Sequence, residues 1–273
     1  MRLKDKSIIL TGAYGGIGNE MARLLLEADA RIALVGRDDK KLNNLMSELA
    51  LSKDGVEGKI IAIAADVSLE ADRQKIIDQI LTAFGNIDIL VNLAGSMSFN
   101  EFSQEDSKIT EELFQVNALA PMQLTKMVIP HMVERGSGQI VNIGSIFGSI
   151  SFAWFATYSA TKFALRGFSE ALRRELDGTG VTVNYIAPRA VRTPFNSDSM
   201  TQMCDQLKTK MDSPANVAKD IVNSIQDDTK EKYLGFPEKI FVRINALFPR
   251  LIDRALKSQN QVAKNFINKN RNK

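Results

Sequence analysis

Short apolar runs alternate along this chain with longer segments in which apolar residues return every three or four positions. The runs Ser7–Leu10, Arg31–Val35, Lys59–Ala64, Ile87–Leu93, Gln139–Ile143 and Val181–Ile186 have strand length, and Lys232–Leu234 is a weaker seventh. Most are continuously apolar rather than alternating, as a strand covered on both faces must be. Between them Ile17–Ala28, Lys40–Leu51, Leu69–Phe84, Glu111–Glu134, Ala156–Asp177 and Pro214–Gln226 carry helical period and length. Such alternation predicts a parallel sheet with crossover helices, an α/β fold of the doubly wound, Rossmann-like type with about seven strands and helices on both faces.

At 273 residues the chain is long for one core, but a large parallel sheet absorbs that length, and no linker divides residues 1–235. With 44% hydrophobic and 25% charged residues it is neither disordered, collagenous nor coiled-coil. The single cysteine, Cys204, can form no internal disulfide, and the single histidine, His131, leaves no His/Cys metal cluster, so no metal is expected. From the start MRLKDKSIIL no secretion signal is expected, and the uncharged stretch 136–161 is laced with Gly, Ser, Asn and Gln, which suits a strand and polar loop better than a membrane span. A cytoplasmic protein is expected. Ten Lys/Arg against Glu238 and Asp253 give residues 232–273 a net charge of +8, so that, of the overall +3, residues 1–231 carry −5. The basic character belongs to the tail and says nothing of the body's ligand.

The first strand runs into Thr11-Gly12-Ala13-Tyr14-Gly15-Gly16-Ile17-Gly18, where a helix opens. Glycines allow a tight turn and close approach to a pyrophosphate, whose charge the N–H groups and dipole of a helix N-terminus favour. A plain strand-to-helix connection needs glycine too; the position directly after the first strand adds weight to the phosphate reading. After the second strand, where an NAD site usually offers Asp or Glu to the adenosine ribose, Gly36 is followed by Arg37. A guanidinium can pair with a 2′-phosphate, which favours NADP(H). Asp38 and Asp39 follow and either repel that phosphate or cap the next helix, and Arg37 can equally be a solvated strand-end charge.

Tyr158 and Lys162 stand four apart on a helical segment and share a face. A phenol with a reference pKa of about 10 exchanges protons poorly near neutrality, and a nearby ammonium favours the phenolate, so the pair is a credible acid/base unit. Ser145 lies just past the strand Gln139–Ile143, at the edge where parallel sheets present their ligands.

Together these motifs resemble the short-chain dehydrogenase/reductase family to about Thr193. The resemblance rests on TGAYGGIG, Asp66-Val67, Asn92-Leu93-Ala94-Gly95, Asn117 in FQVNALAP, Ser145 in VNIGSIFG, and YSATK at Tyr158–Lys162. It implies an oxidoreductase interconverting a carbonyl and an alcohol with NADP(H), NAD being less favoured, and a homodimer or homotetramer. By the resemblance, Tyr158 is the catalytic acid/base, Lys162 its pKa-lowering partner and a ligand of the nicotinamide ribose. Ser145 positions the carbonyl and Asn117 holds a relay water. Gly12, Tyr14, Gly16, Ile17 and Gly18 form the phosphate turn, with Arg37 beyond it. Asp66 and Val67 contact adenine, Asn92, Ala94 and Gly95 line the cofactor path, and Pro188, Val191 and Thr193 meet the nicotinamide carboxamide. A substrate lid is expected over about 193–212.

Three positions depart from the family pattern. Leu93 replaces the second Asn of Asn-Asn-Ala-Gly, Gly144 replaces the first of two serines, and Arg189 stands where Pro-Gly would put glycine. Arg189 is expected to reach a phosphate or acidic substrate, or to point into solvent. Ile146, Phe147, Ile150, Phe152, Trp154, Phe155 and Phe195 make the neighbourhood apolar, which suits either an apolar substrate, lipid-like or 3-oxoacyl, or packing against a subunit. In the tail, Phe236–Leu256 has one apolar face and a basic opposite face, divided or bent at Pro249. That extension, 236–273, either packs on protein, which Pro237 and Pro249 favour by fixing the chain's direction, or lies peripherally on an anionic membrane; nucleic acid is not an expected partner. The alternative to an enzyme is a catalytically weak dinucleotide-binding sensor or scaffold recruited through this tail, against which the presence of Asn117, Ser145, Tyr158 and Lys162 together argues.

Overall fold

The computed structural model describes residues 2–271. Strands β1 (Ser7–Thr11), β2 (Arg31–Gly36) and β3 (Ile60–Ala64) are linked by helices α1 (Gly16–Glu27) and α2 (Asp39–Ser52), and α3 (Glu70–Phe84) leads back to β4 (Ile89–Asn92). Next come α4 (Ser107–Phe114), a π turn (Gln115–Leu119), α5 (Ala120–Glu134), β5 (Gly138–Ile143), α6 (Ala156–Glu175) and β6 (Val181–Ala187). Helices α7 (Asp198–Gln206) and α8 (Pro214–Gln226) precede β7 (Glu231–Tyr233), and the tail forms α9 (Glu238–Leu247), α10 (Pro249–Ala255) and α11 (Lys257–Arg271).

The strands form one seven-stranded sheet in the order β3-β2-β1-β4-β5-β6-β7, with every pair parallel. This is the doubly wound architecture expected from the pattern. Successive strand residues face opposite layers: Ile8 and Leu10 pack with α1, α2 and α8, and Ile9 with α3, α5 and α6. Strand order reverses between β1 and β4, so the carboxyl ends of these neighbours open the crevice where such folds take their ligands.

The segment expected as one helix over Glu111–Glu134 starts earlier and is interrupted. Asp106 caps α4 by accepting from the Lys108 N–H at 2.9 Å, and the π turn then breaks the helical register. Pro121, four residues beyond Asn117, has no N–H for the Asn117 carbonyl, so a regular α-helix cannot run through that position. The lid segment 191–212 is an excursion closed at its base, where Val191 bridges to Asp212 and the Asp212 N–H donates to the Ala190 carbonyl at 2.9 Å.

The tail folds back over that excursion. Ala263, Phe266 and Ile267 of α11 are buried with Met200, Met203 and Cys204 of the lid and with Phe99, Phe155 and Tyr158. Pro249 does not bend one helix but starts a second, its ring preset for a first helical turn.

Candidate active site

The glycine turn is shaped by contacts that leave no room for side chains. Gly12 has φ +70°, and a Cβ there would meet the Ala94 Cα at 3.0 Å; a Cβ on Gly18 would meet the Gly12 carbonyl at 2.3 Å. Thr11 Oγ1 fixes the approach of β1 and β4 by accepting from the Leu93 and Ala94 N–H groups at 3.0 and 3.1 Å. Helix α1 begins at Gly16, and Gly15 before it offers no side-chain cap, so its first N–H groups face the turn. A pyrophosphate fits this cradle: close backbone, positive φ and an N-terminus without a competing carboxylate.

One cavity of about 1470 Å³ joins this turn to the far side of the sheet edge. Gly12, Tyr14, Gly16, Ile17, Gly18, Arg37, Asp66, Val67, Ala94 and Gly95 line it on the side of the turn. Ser145, Tyr158, Lys162, Pro188, Val191 and Thr193 line the other end. Asn92 and Asn117 are buried behind the wall. Asn92 Nδ2 donates to Asn142 Oδ1 at 2.8 Å and to Thr125 Oγ1 at 3.2 Å, so it joins β4 to β5 and α5 rather than facing the cavity. Asn117 Nδ2 donates to the Ser96 carbonyl at 2.8 Å and to Thr161 Oγ1 at 3.1 Å, while its Oδ1 accepts from the Ser96 N–H at 2.8 Å.

Just past β2, Asp38 caps α2 by accepting from the Lys41 N–H at 3.0 Å. Arg37 is exposed along the wall beside Lys41, whose ammonium lies 5.5 Å from the Tyr14 ring centre. Lys41 was not visible as a site residue in the sequence; only the turn from β2 into α2 brings it beside Arg37. One Asp66 oxygen is engaged by the Ser68 N–H and hydroxyl at 2.9 and 2.7 Å.

At the other end, burial pushes the Tyr158 phenol up to about 12, opposed by a hydrogen bond with Ser145, and burial draws Lys162 down to about 8. Lys162 donates to the Ile143 carbonyl at 3.0 Å and lies 5.9 Å from the Tyr158 ring centre. Burial thus opposes the acidification of Tyr158 that a neighbouring ammonium favours. Glu105, which sequence reasoning missed, accepts from the hydroxyls of Ser98 and Thr157 and so ties the first turn of α6 to the exit of β4.

Two departures from the family pattern acquire physical reasons. A Cβ on Gly144 would meet the Tyr185 ring at 2.2 Å, so the tyrosine fills the space a serine would need. Arg189 neither reaches the phosphate turn nor points into solvent. It pairs in fork geometry with Asp212 at 2.7 and 2.8 Å and with Glu238 at 2.9 and 3.0 Å, joining the β6 exit, the lid base and the first tail helix. Of the aromatic segment, Phe147, Phe152 and Phe195 line the cavity together with Ile146 and Ile150, whereas Phe155 is core, stacked on Phe99 with ring centres 4.7 Å apart.

The sequence matches the short chain dehydrogenase family model over residues 6–203. It is 30% identical over 266 residues to dehydrogenase/reductase SDR family member 7B of Danio rerio, spanning 94% of this chain and 86% of that one. Ketoacyl reductase HetN of Nostoc is 31% identical over 259 residues, spanning 92% and 88%. The structure of 3-ketoacyl-(acyl-carrier-protein) reductase from Brucella melitensis complexed with NADH superposes with a TM-score of 0.75 at 25% identity, over 85% of this chain and 96% of that one. The chain belongs to the short-chain dehydrogenase/reductase family, whose members are oxidoreductases acting on CH–OH and C=O groups with a nicotinamide dinucleotide.

Proposed function

We propose that this protein is an NADP(H)-dependent reductase of apolar carbonyl substrates, with 3-oxoacyl compounds as the leading class. The observation that carries the reading is the continuity of one cavity from the glycine turn past Tyr158 to a wall of Phe147, Ile150, Phe152, Met200, Phe241 and Leu256. A polar trough leading to an apolar chamber suits a dinucleotide beside an aliphatic chain. The match to ketoacyl reductases supports the class. Arg37 and Lys41 would hold a 2′-phosphate, and Asp38, which caps α2 and pairs with the Lys41 ammonium at 3.7 Å, has its charge partly offset.

The bound nicotinamide would exchange a hydride with the carbonyl carbon. Tyr158 would hold the proton for the substrate oxygen, its phenol kept protonated in the neutral range by burial. The Ser145 hydroxyl fixes that oxygen beside the phenol. Lys162 would hold the nicotinamide ribose, and Pro121's missing N–H supports the Asn117 carbonyl as a relay acceptor. Gly12, Gly16, Ile17 and Gly18 would bind the pyrophosphate, Asp66 and Val67 the adenine, and Pro188, Val191 and Thr193 the carboxamide. Ala94 and Gly95 would leave room for the ribose, with Asn92 supporting the strand end behind them. A homodimer or homotetramer, cytoplasmic and in peripheral contact with membrane, is the setting this reading carries.

The test is consumption of NADPH and NADH with aldehydes, ketones and 3-oxoacyl thioesters of graded chain length. Turnover should prefer NADPH, rise with chain length and collapse in Tyr158→Phe. Turnover surviving in Tyr158→Phe would overturn the assignment.

A further inference from the structure

We propose that α9 and α10 form a docking surface for an anionic lipid bilayer, which sets the mouth of the catalytic cavity against the membrane. The inference rests on the apolar-substrate reading only for what enters the cavity; the docking surface stands on its own observations. Phe236, Ile240, Phe241, Leu247, Phe248 and Leu251 are between 43% and 73% exposed and lie within sixteen residues of one another. Isolated exposed apolar residues need no explanation, but a contiguous group of this size marks an interaction surface.

The patch is held in place rather than loosely attached. Val242 and Ile252 anchor the two helices in the protein, Asn245 Nδ2 donates to the Ser149 carbonyl at 2.9 Å, and Glu238 is fixed by Arg189. The patch is also continuous with the cavity. Phe236 and Phe241 are exposed and line the cavity at once, and Ile252 of α10 and Leu256 directly after it line it too. A ligand leaving the apolar chamber between these residues emerges at the patch.

Charge decides what the patch meets. Lys239, Arg243, Arg250 and Arg254 are exposed on the same helices, with Lys257 exposed just beyond them, and with Glu238 consumed by Arg189 the exposed carboxylate of this segment is Asp253. Apolar residues flanked by long basic side chains match the acyl boundary and headgroup layer of an anionic bilayer. The same cations would repel the tail of a second copy meeting it face to face. Among the described residues no helix is long and apolar enough to cross a membrane, so contact would be with one leaflet's surface.

The experiment uses the full chain and vesicles of phosphatidylcholine alone or mixed with phosphatidylglycerol, read by flotation. Wild type should float with the anionic vesicles and lose binding as salt rises. Leu247→Ser/Phe248→Ser/Leu251→Ser should weaken binding at least about tenfold, because these residues would enter the acyl boundary. Each of Arg243→Gln, Arg250→Gln and Arg254→Gln should weaken it about fivefold, the equivalent of about 1 kcal/mol per cation. None of these six side chains lines the cavity, so turnover of a short, water-soluble ketone should be unchanged, which also certifies folding. Wild type that fails to float, or a serine variant that floats as well as wild type, overturns the proposal. So does loss of a dimer in the serine variant without loss of flotation, which would make the patch a contact between copies. Flotation needs no turnover, so an inactive protein that floats would defeat the reductase reading alone.

Discussion

Serine is the residue the family resemblance leads one to expect at position 144, and introducing it should damage this protein. A Cβ there would meet Cζ, Oη and Cε2 of Tyr185 at 2.2 to 2.3 Å, so the ring or the strand end must move by more than about 1 Å to restore ordinary contact. The ring has little freedom to do so. Tyr185 is 1% exposed, its backbone pairs with both β5 and β7, and its ring meets Tyr233 edge-on with centres 6.4 Å apart. Overpacking of a rigid interior costs about 1–3 kcal/mol, and three simultaneous overlaps put Gly144→Ser at the upper end. The lost backbone freedom of the unfolded chain returns only about 0.4–1 kcal/mol. A net loss of about 2 kcal/mol lowers Tm by about 4–8 °C in a domain of this size. Since Ser145 follows directly, its hydroxyl should move too, and a shift of about 1 Å can cost about a hundredfold in kcat. Thermal melts and single-turnover rates measure both effects. Tyr185→Leu in the Gly144→Ser background should recover at least about 1 kcal/mol, the coupling expected of residues in contact. A Gly144→Ser protein with wild-type Tm and kcat would refute the packing argument.

Arg37→Asp should weaken NADPH about ten- to a hundredfold while sparing NADH, since charge-assisted hydrogen bonds are worth about 1.5–3 kcal/mol; equal affinities for the two cofactors in wild type, by fluorescence titration, would remove its basis. Lys162 falls from 10.5 to about 8 on folding, so between these values the unfolded chain binds more protons and stability rises with pH, the full cost of burying the ammonium standing below about 8. The stability gap between Lys162→Met and wild type should therefore shift in wild type's favour from about pH 8 to about pH 10 in urea titrations, and a constant gap would contradict the burial argument. Arg189→Ala should cost about 2–3 kcal/mol, less than the about 3–5 of a fully buried pair because Asp212 and Glu238 can rehydrate. It should also speed proteolysis within residues 236–271, and an unchanged cleavage pattern would show that the clasp does not hold the tail.

The sheet was legible because strands buried on both faces must be apolar throughout, and the glycine turn and Tyr158–Lys162 pair because their spacing is local. What escaped was made by distant partners. Arg189 meets Glu238 and Glu105 meets Thr157 across about fifty positions, where no periodicity connects them. The π turn was missed because Asn117 reads as an ordinary helical residue until Ser96 and Thr161 claim its amide. Four-residue spacing puts Lys162 on the face of Tyr158 but does not fix the direction of a long side chain, so its bond to the distant Ile143 carbonyl was not legible. In the tail the apolar period was plain, yet which residues it would bury depended on the lid, and α11 took that place while α9 and α10 kept much of their apolar surface outside.

The return of α11 onto the lid sets an order of events during synthesis. The last strand of the sheet ends at Tyr233, and Ile267, which helps cover Met200 and Met203, is thirty-four residues later. At translation rates of about 5–20 residues per second those residues take about 2–7 s to appear. For that interval the nascent chain already holds every strand of the sheet and the whole glycine turn, and Glu238, five residues past Tyr233, soon reaches Arg189, but the lid lacks its outer layer. Cofactor would thus be admitted to a half-built enzyme whose substrate chamber is still open, and closure of the chamber would be the last act of its manufacture.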